Sequence, residues 1–234
     1  FIPIGDYKFV QMRDELCIPT LMKFGKKTKI HKEKLKLSNN NVSHTRYLGL
    51  IKKSEDDPEW YELTEPGKKV KAVKKYYDEW FIKSMMNFPA IFRYKAASAD
   101  LYPYKAILEI LVEVHKIRLI DFAYAIYTMK TSKPKDIKAA VNKIRYIQKR
   151  YPNVSIQTDI SKDIVRNELN NHFQIDFDGT SIWSSPPSTV ANGIGYFGSH
   201  LSEIVGITWD KNEKTIQIDV SKKPEIRKVL SLKV

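Results

Sequence analysis

The stretch from Arg46 to Val70, RYLGLIKKSEDDPEWYELTEPGKKV, decides how the first half of the chain is read. Leu50-Ile51-Lys52-Lys53 is a short strand, Ser54 to Glu59 a charged loop and Trp60-Tyr61-Glu62-Leu63 a returning strand, so the segment predicts a hairpin. Thr64 then stands as an N-cap, with Glu65 and Pro66 in a first turn that favours both. Val70, Val73, Tyr77, Trp80 and Phe81 follow at helical spacing, to about Met86. Upstream of the hairpin, Ser38-Asn39-Asn40-Asn41 is a run of turn formers and capping residues that opens a helix, and Gly49 suits the position just past its end. On that helix Val42 and Leu48 face inward, with Thr45 beside them, while Asn41, Ser43, His44 and Arg46 face out. Further upstream, Thr28 to Leu37 (TKIHKEKLKL) puts Ile30, Leu35 and Leu37 on one side of a short lysine-rich helix. The expected order is helix, polar turn, helix, hairpin, helix.

A turn-rich break at Asp100 to Tyr104 precedes the apolar helical run Tyr104 to Val114 (YKAILEILVEV), which sets a module boundary near residue 95. Leu119, Ile120, Phe122, Ala123, Ile126 and Tyr127 form a wide apolar stripe with a thin polar side. Pro134 opens a helix on which Ile137, Val141, Ile144, Tyr146 and Ile147 alternate with a basic ridge of Lys135, Lys138, Lys143, Arg145, Lys149 and Arg150. A capped helix follows from Asp159 to Phe173, then two short strands about Asp178-Gly179. The helix from Val190 to Val205 contains Gly193, Gly195 and Gly198, each weakening it by about 1 kcal/mol relative to Ala, which a close approach of another backbone would explain. GITWDKNEKTIQIDV, from Gly206, reads as a second hairpin, and Pro224 to Leu230 as a closing helix.

The first half resembles a winged helix-turn-helix domain. The paired arrangement, HTRYLGLI and YELTEPGKKV followed by LIDFAYAIYTMK, DIKAAVNKIRYIQKRYP and YFGSHLSEIVGITWDKNEKTIQIDV, resembles the multi-domain winged-helix recognition region of type IIS restriction and nicking endonucleases. The resemblance rests on element order and short patterns. It implies an α+β, mainly helical chain of two winged helix-turn-helix modules in tandem, residues 1–95 and residues 96–234, the second with extra helices. It further implies sequence-specific binding of double-stranded DNA. The nuclease domain would lie elsewhere in the same polypeptide or in a second subunit, and Mg²⁺ would be expected only there, with no cofactor in this chain. The rival readings are a winged-helix transcriptional regulator or replication initiator that binds DNA as a dimer, and a winged-helix module that binds protein.

Charge points the same way. The 234 residues carry 40 Lys and Arg against 27 Asp and Glu, a net +13, which favours a polyanionic partner. Residues 1–50 hold 10 basic and 4 acidic side chains and residues 101–150 hold 11 and 4, so the excess sits in two blocks. The basic clusters are not joined to one long amphipathic helix, so a membrane partner is not expected. No apolar run reaches the roughly 18 residues of a membrane span. Cys17, the single cysteine, cannot form an internal disulfide and reads as a buried inert thiol, which suits a cytoplasmic setting.

A nuclease centre with two carboxylates and a lysine would use an acid-x-Lys pair behind a strand, and the nearest match, Asp136-Ile137-Lys138, falls in a helix and reads as solvated surface. Asp176 and Asp178 could share one strand face, but strand-end and turn roles around Gly179 suit them better. His31, His44, His115, His172 and His200 are too dispersed for a metal set, and no phosphate-binding glycine loop occurs. Tyr76, Tyr77, Trp80 and Phe81 read as core rather than as a base-stacking platform. The sequence therefore assigns no catalytic residue and no metal ligand.

Base reading falls to Arg46, suited to guanine O6 and N7, and Asn41, suited to adenine, with Ser43, His44 and Thr45 as adjuncts. Asn192, Tyr196, Ser199 and His200 are the corresponding residues of the second module. Lys26, Lys27, Lys29, Lys32, Lys34, Lys52 and Lys53 are assigned to phosphates, which position a protein without carrying sequence.

Overall fold

The computed structural model describes residues 17–36, 39–72, 82–83, 85–87, 100–154, 162–175 and 189–232. Among them the fold is α+β and mainly helical, with ten α-helices and two three-stranded antiparallel sheets. The chain divides into two units, one of Phe1–Lys105, Glu203–Val205 and Pro224–Val234, the other of Ala106–Ser202 and Gly206–Lys223. The division falls inside a helix, past the boundary expected near residue 95. No described helix is long and apolar enough to cross a membrane.

The first unit begins with α1 (Ile18–Lys23), which has Pro19 in its first turn and is followed by Gly25 at φ +52°. Next comes a strand, β1 (Lys29–His31), where a helix over Thr28–Leu37 was expected. Ile30 alone is buried, between exposed Lys29 and half-buried His31, which is the alternation of a pleated strand. Only α2 (Lys32–Leu35) is helical, a single turn capped by the His31 ring and ended by Lys36 at φ +37°. The polar helix α3 (Asn39–Tyr47), the strands β2 (Ile51–Lys53) and β3 (Trp60–Leu63), and α4 (Glu65–Ala72) follow as read. The sheet order is β1-β3-β2, with Ile30 opposite Tyr61 and Lys52 opposite Glu62. Cys17, Leu21, Phe24, Leu35, Leu48, Leu50 and Val70 build the core beneath it. Val73, Tyr77, Trp80 and Phe81, expected on a longer α4, lie outside the described residues.

Two contacts lock the hairpin to α4. The Thr64 hydroxyl donates to the Gly49 carbonyl at 2.5 Å and accepts the Gly67 amide at 3.1 Å, so it caps α4 while holding the end of α3. Gly67 lies so close to the Leu50 carbonyl that a Cβ there would stand 1.8 Å from its oxygen. Gly49, at φ +68°, turns the chain from α3 into β2.

The second unit contains most of α5 (Pro103–Val114), then His115 at φ +66° and β4 (Lys116–Arg118). A short helix α6 (Leu119–Asp121) runs into a wholly buried π-helix, Phe122–Ile126. α7 (Pro134–Arg150), α8 (Lys162–Phe173) and α9 (Thr189–Leu201) precede the hairpin β5 (Ile207–Asp210) and β6 (Thr215–Ile218). α9 stops at Leu201, short of the Val205 expected. A 3₁₀ turn, Val220–Lys222, leads to α10 (Lys223–Leu230), which lies almost wholly in the part of the chain that returns to the first unit. The strands read about Asp178-Gly179 fall outside the described residues. The sheet order is β4-β6-β5, so in both sheets the strand that comes first in the chain pairs with the one that comes last.

A buried ion pair fixes β4. The Asp121 carboxylate, fully buried, accepts from Nε and Nη2 of Arg118 at 3.0 Å each and from Gln148 Nε2 at 3.2 Å. Arg118 Nη1 donates onward to the carbonyls of Tyr151 and Pro152 at 2.6 and 3.1 Å, tying the strand to the end of α7. The close approach expected at the α9 glycines is real but is made by a side chain. The Trp209 indole of β5 lies on Gly198, where a Cβ would stand 2.4 Å from the ring.

Candidate nucleic-acid interface

In the first unit the candidate reading residues sit on α3. Asn41, Ser43 and Arg46 are half-buried, and the His44 side chain is outside what the structure describes. Thr45, expected as an adjunct in base reading, is fully buried. Its hydroxyl donates to the Asn41 carbonyl at 2.7 Å, so it is part of the core and not of a reading face. It also hydrogen-bonds the Cys17 thiol, whose pKa burial pushes up to about 12. Cys17 is thus the inert buried thiol that the sequence suggests. Arg46 is set in the last turn of α3, and its Nε is buried.

The lysines assigned to phosphates divide into two groups. Lys29 Nζ lies 2.8 Å from Glu62 Oε1 and 3.2 Å from Asp56 Oδ2, Lys52 Nζ lies 2.8 Å from Glu55 Oε1, and Lys32 Nζ lies 3.6 Å from Glu59 Oε2. Hydrogen bonds from Lys29 and then Ser54 hold the Glu62 carboxyl below its ordinary pKa, and Glu62 and Asp56 in turn raise that of Lys29. Lys52 is raised chiefly by its hydrogen bond to Glu55. The hairpin loop SEDDPE thus brings counter-charge to two lysines of the sheet, Lys29 and Lys52, and to Lys32 on α2. Lys26 and Lys27 in the turn after α1, Lys34 on α2 and Lys53 on β2 are exposed and have no acidic partner among the described residues. Lys23 and Lys36, which the sequence reading left out, have the same character. Lys36 ends α2 in the left-handed conformation, two residues after Lys34, and the spacing Lys32, Lys34, Lys36 carried the signal.

In the second unit, Tyr196 and His200 stand one turn apart on α9 with ring centroids 4.0 Å apart, edge to face. The Ser199 hydroxyl donates to the Tyr196 carbonyl at 3.1 Å and so serves its own helix. Tyr196, Ser199 and His200 are half-buried, and the Asn192 side chain is outside the described residues. The opposite side of α9 is covered by Trp209. The basic ridge of α7 is present, with Lys135, Lys138 and Lys149 exposed, while Arg145 pairs with Glu113 at 3.6 Å and Arg150 with Glu168 at 3.1 Å.

Among the described residues no group of three or more His, Cys, Asp or Glu side chains is placed to hold a metal ion. Asp136 accepts a hydrogen bond from the Thr131 hydroxyl at 2.5 Å, the role of a helix-start residue. Asp176 and Asp178 lie outside the described residues. Compared with known proteins, the chain matches no protein-family model and no curated protein.

Proposed function

We propose that this chain binds double-stranded DNA through two winged helix-turn-helix units and is the target-recognition region of a restriction-type endonuclease, with the nuclease domain outside this chain. The observation that carries the reading is the order shared by the two sheets, β1-β3-β2 and β4-β6-β5. In each unit a helix, α3 or α9, comes immediately before the two-stranded hairpin. A helix so placed is the element that a winged helix lays in the major groove. The net +13 supports a phosphate-bearing partner, and the exposed lysines of α2 and of the turns beside it supply contacts next to α3. The buried thiol of Cys17 suits the reducing cytoplasm in which we place such a protein.

Fluorescence anisotropy of a labelled duplex, titrated with the full chain over a salt series, tests the DNA half of the proposal. Affinity is expected to fall with a slope that corresponds to roughly 5 to 8 neutralised phosphates. A flat slope, or no binding near 50 mM salt, would remove nucleic acid as the partner. Reading the open frame on either side of these residues tests the endonuclease half, since a nuclease domain is expected there or in a companion subunit.

A further inference from the structure

Where the π-helix Phe122–Ile126 ends, Thr128, Met129 and Lys130 stand across a cleft of about 230 Å³ from Ala139, Ala140 and Lys143 of α7. The cleft exists because of two local features. The widened turn carries the chain out of the helix with the Tyr127 amide on the Phe122 carbonyl at 2.8 Å, and such π-turns recur at functional sites. Opposite it, the two alanines leave unfilled the volume that larger side chains would take.

Its charges are unbalanced. Lys143 is partly withdrawn from water, which lowers its pKa from the ordinary lysine value, and its ammonium stands 5.3 Å above the Phe173 ring. Among the described residues no carboxylate pairs with Lys143 or with Lys130. Asp136 also lines the cleft, but it stands seven residues back along α7, about 10 Å along the axis, and it is engaged by Thr131. An ammonium held out of water without a counter-ion is costly, and an aromatic face offsets only part of that cost.

We propose that this cleft seats a phosphate-type oxyanion between Lys130 and Lys143, either a backbone phosphate of a nucleic acid or the phosphate group of a free ester. A tetrahedral oxyanion presents several acceptor oxygens and so can meet two ammonium groups that arrive from different elements. The seat stands whether or not α3 and α9 read DNA.

The test uses the full chain with ¹³C-labelled lysine, observed by NMR while inorganic phosphate, and separately a short duplex, is added. The Lys143 resonance is expected to move and its pKa to rise toward the ordinary value as counter-charge arrives, while Lys53 responds far less to phosphate. Lys143→Met and Lys130→Met are each expected to weaken phosphate binding about tenfold. Lys143→Arg is expected to retain it. Because Lys130 is exposed, its variant keeps the test sound if Lys143→Met folds poorly. A Lys143 response to the duplex assigns the seat to a backbone phosphate, and a response to inorganic phosphate alone assigns it to a free ester. No response to either overturns the proposal.

Discussion

At the scale of single residues, Gly195 and Gly198 show how one helix uses the same residue in two ways. A Cβ at Gly195 would meet the nearest Trp209 atom at 3.8 Å, an ordinary contact, whereas at Gly198 it would enter the ring at 2.4 Å. Gly195→Ala is therefore expected to be neutral or to stabilise by up to about 1 kcal/mol through helix propensity. Gly198→Ala is expected to destabilise by about 1 to 3 kcal/mol as the indole is pushed off α9. Thermal unfolding of the two variants checks the contrast, and equal midpoints would show that Trp209 moves aside freely. The sequence showed that these glycines needed a reason but not that the reason was an indole about ten positions downstream. Thr45 and Arg46 mark a similar limit. The step from a helix position to a facing direction depends on what packs against the helix, and Leu21, Cys17 and Leu48 are core neighbours only once the chain is folded.

Among elements, the β2–β3 hairpin was the most legible, because a charged loop between two short apolar runs leaves few alternatives. The strand β1 was not legible. Its three residues carry one buried side chain, too few to separate a period of 2 from one of 3.6, and its identity comes from pairing with β3 some thirty residues later in the chain. β4 escaped for the same reason, pairing with β6 some hundred residues later in the chain. The hairpin also carries a pH signature. The Glu62 carboxyl is depressed on folding, so its contribution is complete above the ordinary carboxylate range and is lost as pH falls through the lowered folded value. Lys29 and Lys52 are raised, so theirs is complete below the ordinary lysine value and is lost as pH rises through the higher folded value. Amide exchange of β2 and β3 is thus expected to be flat between about pH 5 and pH 10 and to lose protection on either side, after correction for intrinsic exchange. Glu62→Gln should abolish the acidic step, and an unchanged step would place its origin outside this carboxylate.

At the scale of the whole molecule, the sequence makes two consecutive modules natural, while the structure returns Pro224–Val234 to the first unit after the second is complete. Ile226 and Val229 of α10 are buried, and no local pattern says against which part of the chain. Removing residues 224–234 is expected to destabilise the first unit by several kcal/mol, since two core aliphatics are lost at about 1.5 to 3 kcal/mol each, while the second keeps its fold. Two-step thermal unfolding with only one step shifted would show this, and a single transition that shifts as a whole would mean that the two units melt as one. The return of α10 also sets an order of events during synthesis. A ribosome that has delivered α1 through α4 has made every strand of the first sheet, yet part of its core surface must wait for residues translated after the entire second unit. Until then the early half of this chain is a partly open surface to chaperones and proteases, and a message truncated before the codon for Pro224 would release it in that state.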